Sequence, residues 1–336
     1  MVASAIGACV ADEPGTGSSG DDTTNLDSGA GGDATFTGDG STTHDDGSAP
    51  TDGGVDAGLC DGEIGCPAAV GGGHLQLWLR GDKGVDCVNF RAATWLDQSG
   101  HGRNATLPKG DDGGIPLAPE CEVDAIHSLN VMAFNDPGDP FAPSADETYA
   151  VNLGWLKGHD FTFAIVHKEK AYIFSSALLS FALVPQPAPY SCLAPQNNGG
   201  FQLLLNHDSD AAAYYQSDIQ CVTNTSNGYR APTTMDPQLV EYQFSATTGY
   251  HIWVNGKELA LSVISNGDAS AANLIGVTAN GGEASLIARL PSDPSLPLNT
   301  RYKGDIAEIA GYDVALSDVD RQVIETYLKK KWALTF

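Results

Sequence analysis

The sequence predicts an all-β sandwich preceded by a long unfolded leader and closed by one C-terminal helix. Three observations carry that expectation. From about Gly73 to Phe336, short apolar segments recur between turn signals, the spacing of sandwich strands. Asn255-Gly256 stands at the end of one such segment, and Asn-Gly is the strongest short-range hairpin signal. After Leu316 the apolar period lengthens from two to three and four residues, as in a helix lying on a core.

The leader comes first in the chain. Residues up to about Gly58 are almost entirely Gly, Ser, Thr, Asp and Ala, and no lysine or arginine occurs before Arg80. Such a segment has too little apolar surface to offset the entropy of ordering it, so it is expected to stay unfolded, expanded by its own carboxylates. The whole chain carries 42 acidic and 17 basic residues, a formal charge of -25. That charge repels phosphate backbones and anionic lipid, which excludes nucleic acid as a partner. No apolar run approaches the length of a membrane span.

Seven cysteines occur: Cys9 in the leader, then Cys60, Cys66, Cys87, Cys121, Cys192 and Cys221. Six can pair in several ways, and the sequence-nearest set joins Cys60 to Cys66, Cys87 to Cys121, and Cys192 to Cys221. No Cys-x-x-Cys spacing appears, and the histidines keep no zinc-finger interval from the cysteines. Disulfides, and with them export to an oxidising compartment, are the expectation.

The strand segments follow in order. In Leu75-Gln-Leu-Trp-Leu79, alternation sets Leu75, Leu77 and Leu79 on one face and Gln76 and Trp78 on the other. Asn130–Phe134, Phe161–Val166, Phe201–Leu205 and Leu239–Phe244 read in the same style. Tyr250–Val254 leads into the Asn255-Gly256 turn, with Leu259-Ala-Leu261 expected to return beside it. Ala284–Ala288 and Asp305–Ile309 complete the set. The helix starts with a capping-box-like Ser317 and Asp320 and presents Val319, Val323, Ile324, Tyr327, Leu328 and Trp332 to the core. Lys329, Lys330 and Lys331 sit where positive charge suits its dipole. Trp78, Trp95, Trp253 and Trp332 are expected in the core or at its rim, and His127, His167 and His207 at the surface or strand edges.

Three motifs add a resemblance. Trp95-Leu-Asp-Gln-Ser-Gly-His-Gly-Arg-Asn-Ala-Thr106 resembles the W-x-D-x-S-G-x-G-x-x-A loop of laminin G-like domains in the concanavalin A-like superfamily. His251-Ile-Trp-Val-Asn-Gly-Lys257 resembles that family's strand ending in an Asn-Gly or Asp-Gly turn. Tyr302-Lys-Gly-Asp-Ile-Ala-Glu-Ile-Ala-Gly-Tyr312, with the Leu316-Ser317-Asp318 step into the helix, resembles its closing element. The resemblance implies a two-sheet antiparallel jelly roll of about a dozen strands. Ile6-Gly7-Ala8-Cys9 separately resembles a bacterial lipobox, in which Cys9 would be lipidated, although no basic start precedes it. The domain expectation is therefore a truncated signal remnant over 1–9, a disordered acidic linker over 10–59, a cysteine-containing junction over 60–72 and a laminin G-like sandwich over 73–336.

This fold hosts sugar binding, protein adhesion and glycoside hydrolysis, so residues at the site must decide. Retaining relatives resembling laminarinases carry Glu-x-Asp-x-x-Glu on one strand. Here lysine stands in the first acid's place, in Lys303-Gly-Asp305-Ile-Ala-Glu308, and alternation would set Asp305 and Glu308 on opposite faces. No Gly-x-Ser-x-Gly, His-Glu-x-x-His or phosphate-loop motif is present. The expectation is a non-catalytic protein.

Two kinds of site remain. A structural calcium ion is the one cofactor the resemblance implies, with Asp97 in the Trp95 loop as the candidate ligand and Asp208 and Asp210 as a second oxygen-rich turn. An Asx turn is the competing reading for all three. Sugar binding would use exposed aromatics, for which Trp155, Tyr214 and Tyr215 are the candidates, with Tyr190 and Tyr229 near the presumed Cys192–Cys221 lip. The expected function is extracytoplasmic binding, as a surface or outer-membrane lipoprotein or a secreted protein held to membrane only by its lipid anchor. A polysaccharide or glycoconjugate is the expected partner. The alternatives are a matrix or adhesion module that binds a surface protein and, behind it, a glycoside hydrolase.

Overall fold

The computed structural model describes residues 60, 62–108, 117–134, 147–156, 159–171, 176–182, 200–209, 212–220, 225–231, 234–263, 285–288 and 302–336. At 176, 181–182, 200–209, 212–220, 225–231, 261–263 and 286 it describes the backbone alone. The leader with Cys9, and Tyr190, Cys192, Asp210 and Cys221, lie outside the described residues.

The described residues form two antiparallel sheets and one α-helix, the all-β sandwich with a C-terminal helix that the sequence predicts. In chain order the strands are β1 (Leu75–Arg80), β2 (Thr94–Trp95), β3 (Ala105–Thr106), β4 (Glu120–Ile126), β5 (Leu129–Phe134), β6 (Tyr149–Val151), β7 (Phe161–Glu169), β8 (Ser176–Ala182), β9 (Gly200–Ser209), β10 (Ala212–Gln220), β11 (Thr225–Ala231), β12 (Gln238–Ser245), β13 (Gly249–Val254), β14 (Lys257–Glu258), β15 (Leu261–Val263), β16 (Ser285–Ile287) and β17 (Gly304–Tyr312). The helix, α1, spans Asp318–Lys331. The first sheet runs β14-β13-β12-β7-β17-β5-β4, with β1 also paired to β17, and the second runs β15-β11-β10-β9-β8-β16-β6-β3-β2.

The first sheet is packed on both faces. Its inner face meets the second sheet through Leu77, Leu79, Phe134, Phe163, Ile165 and Tyr242, against Trp95, Tyr149 and Leu179. Its outer face is covered by α1, where Trp78, Val166, Leu239 and Ala310 meet Ile324, Leu328 and Trp332. Burial on two sides explains why β12 and β17 are buried along their whole length, where a half-exposed strand would alternate. Burying each large side chain contributes roughly 1.5–3 kcal/mol. The 60–72 segment belongs to the same layer, since Cys60, Cys66, Ala68 and Val70 pack with Leu316 and Tyr312, and the Tyr312 hydroxyl donates to Pro67 O at 3.0 Å.

Ser317 caps α1 as its sequence implies, its hydroxyl accepting from Asp320 N at 3.2 Å. Val319 departs from the expected core set and is 71% exposed, while Lys331 is drawn inward. Asn255 and Gly256 form the expected turn with φ of 52° and 73°, closing Val254 against Lys257. The returning strand is only Lys257–Glu258, however, and Leu261 crosses to the second sheet to pair with Tyr229.

Strict alternation fails at several bulges among the described residues, two of them in pairings of β17. The register shifts between Leu75 and Leu77, which sends Leu75 to the helix side with Trp78, apart from Leu77 and Leu79. It shifts again in β17 between Ile306 and Glu308. There Gly81 donates to Ala307 O at 2.8 Å, and a Cβ on Gly81 would lie 2.8 Å from Asn130 O and from Val131 Cα, so only glycine fits.

Candidate functional site

Asp97 sits in the loop that links β2 to β3, and its carboxylate is fully engaged. Its Oδ1 accepts from Trp78 N and Ser99 N, each at 2.9 Å, and its Oδ2 accepts from the Ser99 hydroxyl at 2.7 Å and Arg103 N at 2.9 Å. One donor from β1 and three from the loop itself tie the loop together and stabilise the charge locally. The geometry is that of a loop anchor, since a cation at these oxygens would meet the same N–H groups. Among the described residues no group of three or more His, Cys, Asp or Glu is placed to hold a metal ion. Asp208 lies in β9, described as backbone only.

The acids of β17 are the second group. The bulge corrects their expected placement on opposite faces: Asp305 pairs with Lys168 and Glu308 with Val166, so both lie on the face that Val166 presents to α1. Glu308 is sealed there at 0% exposure. Its Oε1 accepts from Trp78 Nε1 at 2.6 Å, and its Oε2 from Lys331 Nζ at 2.7 Å and Trp332 Nε1 at 2.8 Å. Lys331 also reaches Asp82 at 3.0 Å, and Asp82 takes two hydrogen bonds from Arg80, at 2.8 and 3.2 Å. Burial would raise the Asp82 carboxyl, yet Arg80 and Lys331 together hold it below its ordinary range.

Asp305 is also fully buried, ion-paired with Lys170 at 2.6 Å, and Lys170 in turn meets Glu122. Burial pushes its carboxyl up to about 6, against the pull of Lys170. Glu241, beneath α1, is raised to about 7 by burial, partly offset by Arg321 at 3.0 Å. The Arg321 guanidinium lies 4.5 Å from the Trp253 ring centre. His167 corrects a surface expectation: it is fully buried on the central strand β7, its Nδ1 is 3.1 Å from the Tyr302 hydroxyl, and burial lowers it to about 3. These side chains join strands to each other and to the helix. A lone lysine or histidine in sequence gives no sign of such burial.

The aromatic candidates divide. Trp155 occupies a 3-10 turn, Gly154–Leu156, and is half-buried, tilted against Phe163 at 5.6 Å rather than standing free. Tyr214 and Tyr215 are consecutive in β10, so backbone register sets them in different rows. One row is Leu205–Tyr215–Tyr229, flanked by Phe201–Ile219–Thr225 and Leu203–Ser217–Asn227, and Leu203 pairs with Leu179 of the inter-sheet core. The other row is Asn206–Tyr214–Arg230, followed by Leu204–Gln216–Gly228 and Gln202–Asp218–Ser226. By register, therefore, Tyr214 shares a face with Asn206, Gln216, Gln202, Asp218 and Arg230, and with Leu204. Sequence reasoning named Tyr214 but not its strand neighbours, which alternation alone cannot bring together.

Two of the expected disulfides are present, Cys60–Cys66 and Cys87–Cys121. No helix among the described residues is long and apolar enough to cross a membrane.

An antiparallel β-sandwich domain is the class that fold and sites define. No family model matches the chain, and no curated protein matches it. Among solved structures it is similar to the botulinum neurotoxin serotype D/C binding domain, with 12% identity, a TM-score of 0.45, and coverage of 76% of this chain and 52% of that one. It is also similar to a mutant Trypanosoma rangeli sialidase displaying trans-sialidase activity, at 13% identity and TM-score 0.44, covering 83% and 38%. A third is the binding domain of botulinum neurotoxin DC in complex with rat synaptotagmin II, at 10% identity and TM-score 0.44, covering 76% and 51%. The chain spans about half or less of the length of these structures.

Proposed function

We propose that the chain is a non-catalytic, extracytoplasmic binding protein that recognises carbohydrate on the polar face of the second sheet. The observation that carries the reading is the register row Asn206–Tyr214–Arg230 with Gln216, Gln202 and Asp218 beside it. A flat ring stacks on the apolar face of a pyranose, while amide, carboxylate and guanidinium groups meet its hydroxyls. Membership of the laminin G-like branch of the concanavalin A-like sandwiches is part of the same proposal, resting on the Trp95, Asn255-Gly256 and Tyr302–Tyr312 motifs. Catalysis is disfavoured by the β17 carboxylates, one sealed under Trp78 and Trp332 and the other neutralised by Lys170. Two disulfides support an oxidising compartment. Display on the acidic leader, tethered at Cys9, completes the proposal.

The test is a glycan array probed with the full chain, with calcium and again with chelator. Binding to a defined sugar that is lost in Tyr214→Ala but kept in Trp155→Phe supports the reading. Silence in both conditions, or binding indifferent to Tyr214, overturns it.

A further inference from the structure

A second surface stands on the first sheet, at the hairpin between β1 and β2. Val88 and Arg91 pair through both backbone bonds, at 2.8 and 3.1 Å, leaving Asn89 and Phe90 as a two-residue turn. Both turn residues have positive φ, 52° and 64°. Asparagine adopts that conformation readily. Phenylalanine does not, and glycine is the usual occupant of its position. Yet Phe90 is 77% exposed, so no core packing repays the strain, and Val88 beside it is 62% exposed.

The turn is held rigidly. Cys87 is bonded to Cys121 of β4, Cys121 N donates to Phe90 O at 2.8 Å, and Arg91 pairs with Glu120 across the strand edge. The Arg91 guanidinium binds Glu120 and Glu147, each at 2.8 Å, and the Ala118 carbonyl. Two residues beyond Cys121, Val123 adds a third apolar side chain at 60% exposure. The result is an apolar knuckle of Val88, Phe90 and Val123 on segments joined by the Cys87–Cys121 disulfide and the Cys121 N–Phe90 O hydrogen bond.

Its surroundings are acidic. Asp86 and Asp124 flank it, exposed and in no ion pair among the described residues, and Glu120 and Glu122 lie on the same strand edge. Arg91 and Lys170 are each committed to two carboxylates. A second copy of the chain would bring the same acids against these, and an anionic membrane would repel them. An apolar seam bordered by cations is complementary to both features.

We infer that the Val88–Phe90–Val123 knuckle is a docking site for a protein partner that presents an apolar seam bordered by lysine or arginine. A disulfide-pinned, strained aromatic loses little conformational entropy on binding, and buried aromatic anchors dominate interface energies. The strain is then held for the contact it offers. The site is independent of the Tyr214 row.

The test uses the full chain and two designed amphipathic peptides, one with a leucine seam bordered by lysines and its counterpart bordered by glutamates, with binding followed by calorimetry and amide hydrogen exchange. The lysine peptide is expected to bind, to protect residues 86–91 and 120–124, and to lose affinity at least about tenfold in Phe90→Ala, with Tyr214→Ala unchanged. Phe90→Gly is expected to fold with a raised Tm and to lose the peptide equally, which separates anchor from scaffold. Equal binding of the glutamate peptide, binding that survives both Phe90 variants, or protection spread over the surface overturns the inference. So does a Phe90-dependent dimer in sedimentation or Phe90-dependent binding to phosphatidylcholine vesicles without peptide binding.

Discussion

The two sheets are made of similar strands and differ in what lies against them. The first carries α1 and the Cys60–Cys66 segment on its outer face, and there its charges are paired and buried: Glu308 with Lys331, Asp305 with Lys170, Glu241 with Arg321. The second presents, by register, a polar row centred on Tyr214. Glu308 acts as a fastener between sheet and helix, because both its oxygens are already taken by donors. The polar row is where the proposed function has hydroxyls of a ligand met.

Glu308→Ala breaks the first half of that contrast most severely. It strands Trp78 Nε1 and Trp332 Nε1 and leaves the Lys331 ammonium with Asp82 alone, and chemical denaturation should show a loss of about 3–5 kcal/mol. A loss under about 1 kcal/mol would mean that apolar packing alone seats the helix. Reducing the pinned edge by the paired change Cys87→Ser and Cys121→Ser should cost about 2–4 kcal/mol, read from the same curves.

The pH profile sharpens the comparison within the buried charges, because they pull in opposite directions. His167 falls from 6.5 unfolded to about 3 folded, so protonation favours the unfolded chain, and its stability contribution is lost as pH drops from about 6.5 toward 3. Asp305 rises from 3.8 to about 6 and Glu241 from 4.5 to about 7, so their contributions are present in acid and are lost as pH climbs through those values. In His167→Gln, stability measured from pH 4 to 7 should therefore fall as pH rises, more steeply than in the parent. A variant profile that still rises toward pH 7 would show that another group sets the acid limit.

The smallest expected stability effect belongs to the second sheet. Tyr214→Ala should change unfolding free energy by no more than about 0.5 kcal/mol, as surface substitutions do, while Tyr242→Ala in the core of β12 costs about 3–5 kcal/mol. A large loss at Tyr214 would assign it to packing and withdraw it from binding.

Much of this is legible in the sequence. Alternation found β5, β7, β9, β12, β13 and β17, and the Ser317 cap marked the start of α1 to the residue. The bulges were not legible, because one extra residue changes the register without changing the composition around it; Leu75 and the Asp305–Glu308 pair were misplaced for that reason alone. Lys329, Lys330 and Lys331 are the same residue type three times, and only the turn of the helix decides that the third meets Glu308. Tyr214 and Tyr215 are likewise indistinguishable until β9 and β11 are aligned beside them. Phe90 carried no signal at all, since its meaning lies in a backbone angle.

The bulge in β17 also bears on how this chain tolerates insertion and deletion. Removing Ala307 would restore a continuous two-residue period through the strand. Everything on one side of the deletion would then turn inside out relative to the other, carrying either Asp305 or Glu308 into the layer of Leu79 and Ile309. A one-codon loss at this position would be far more damaging than the substitution of Ala307 by a residue of similar size, and lineages of this domain would be expected to vary the letter while keeping the count.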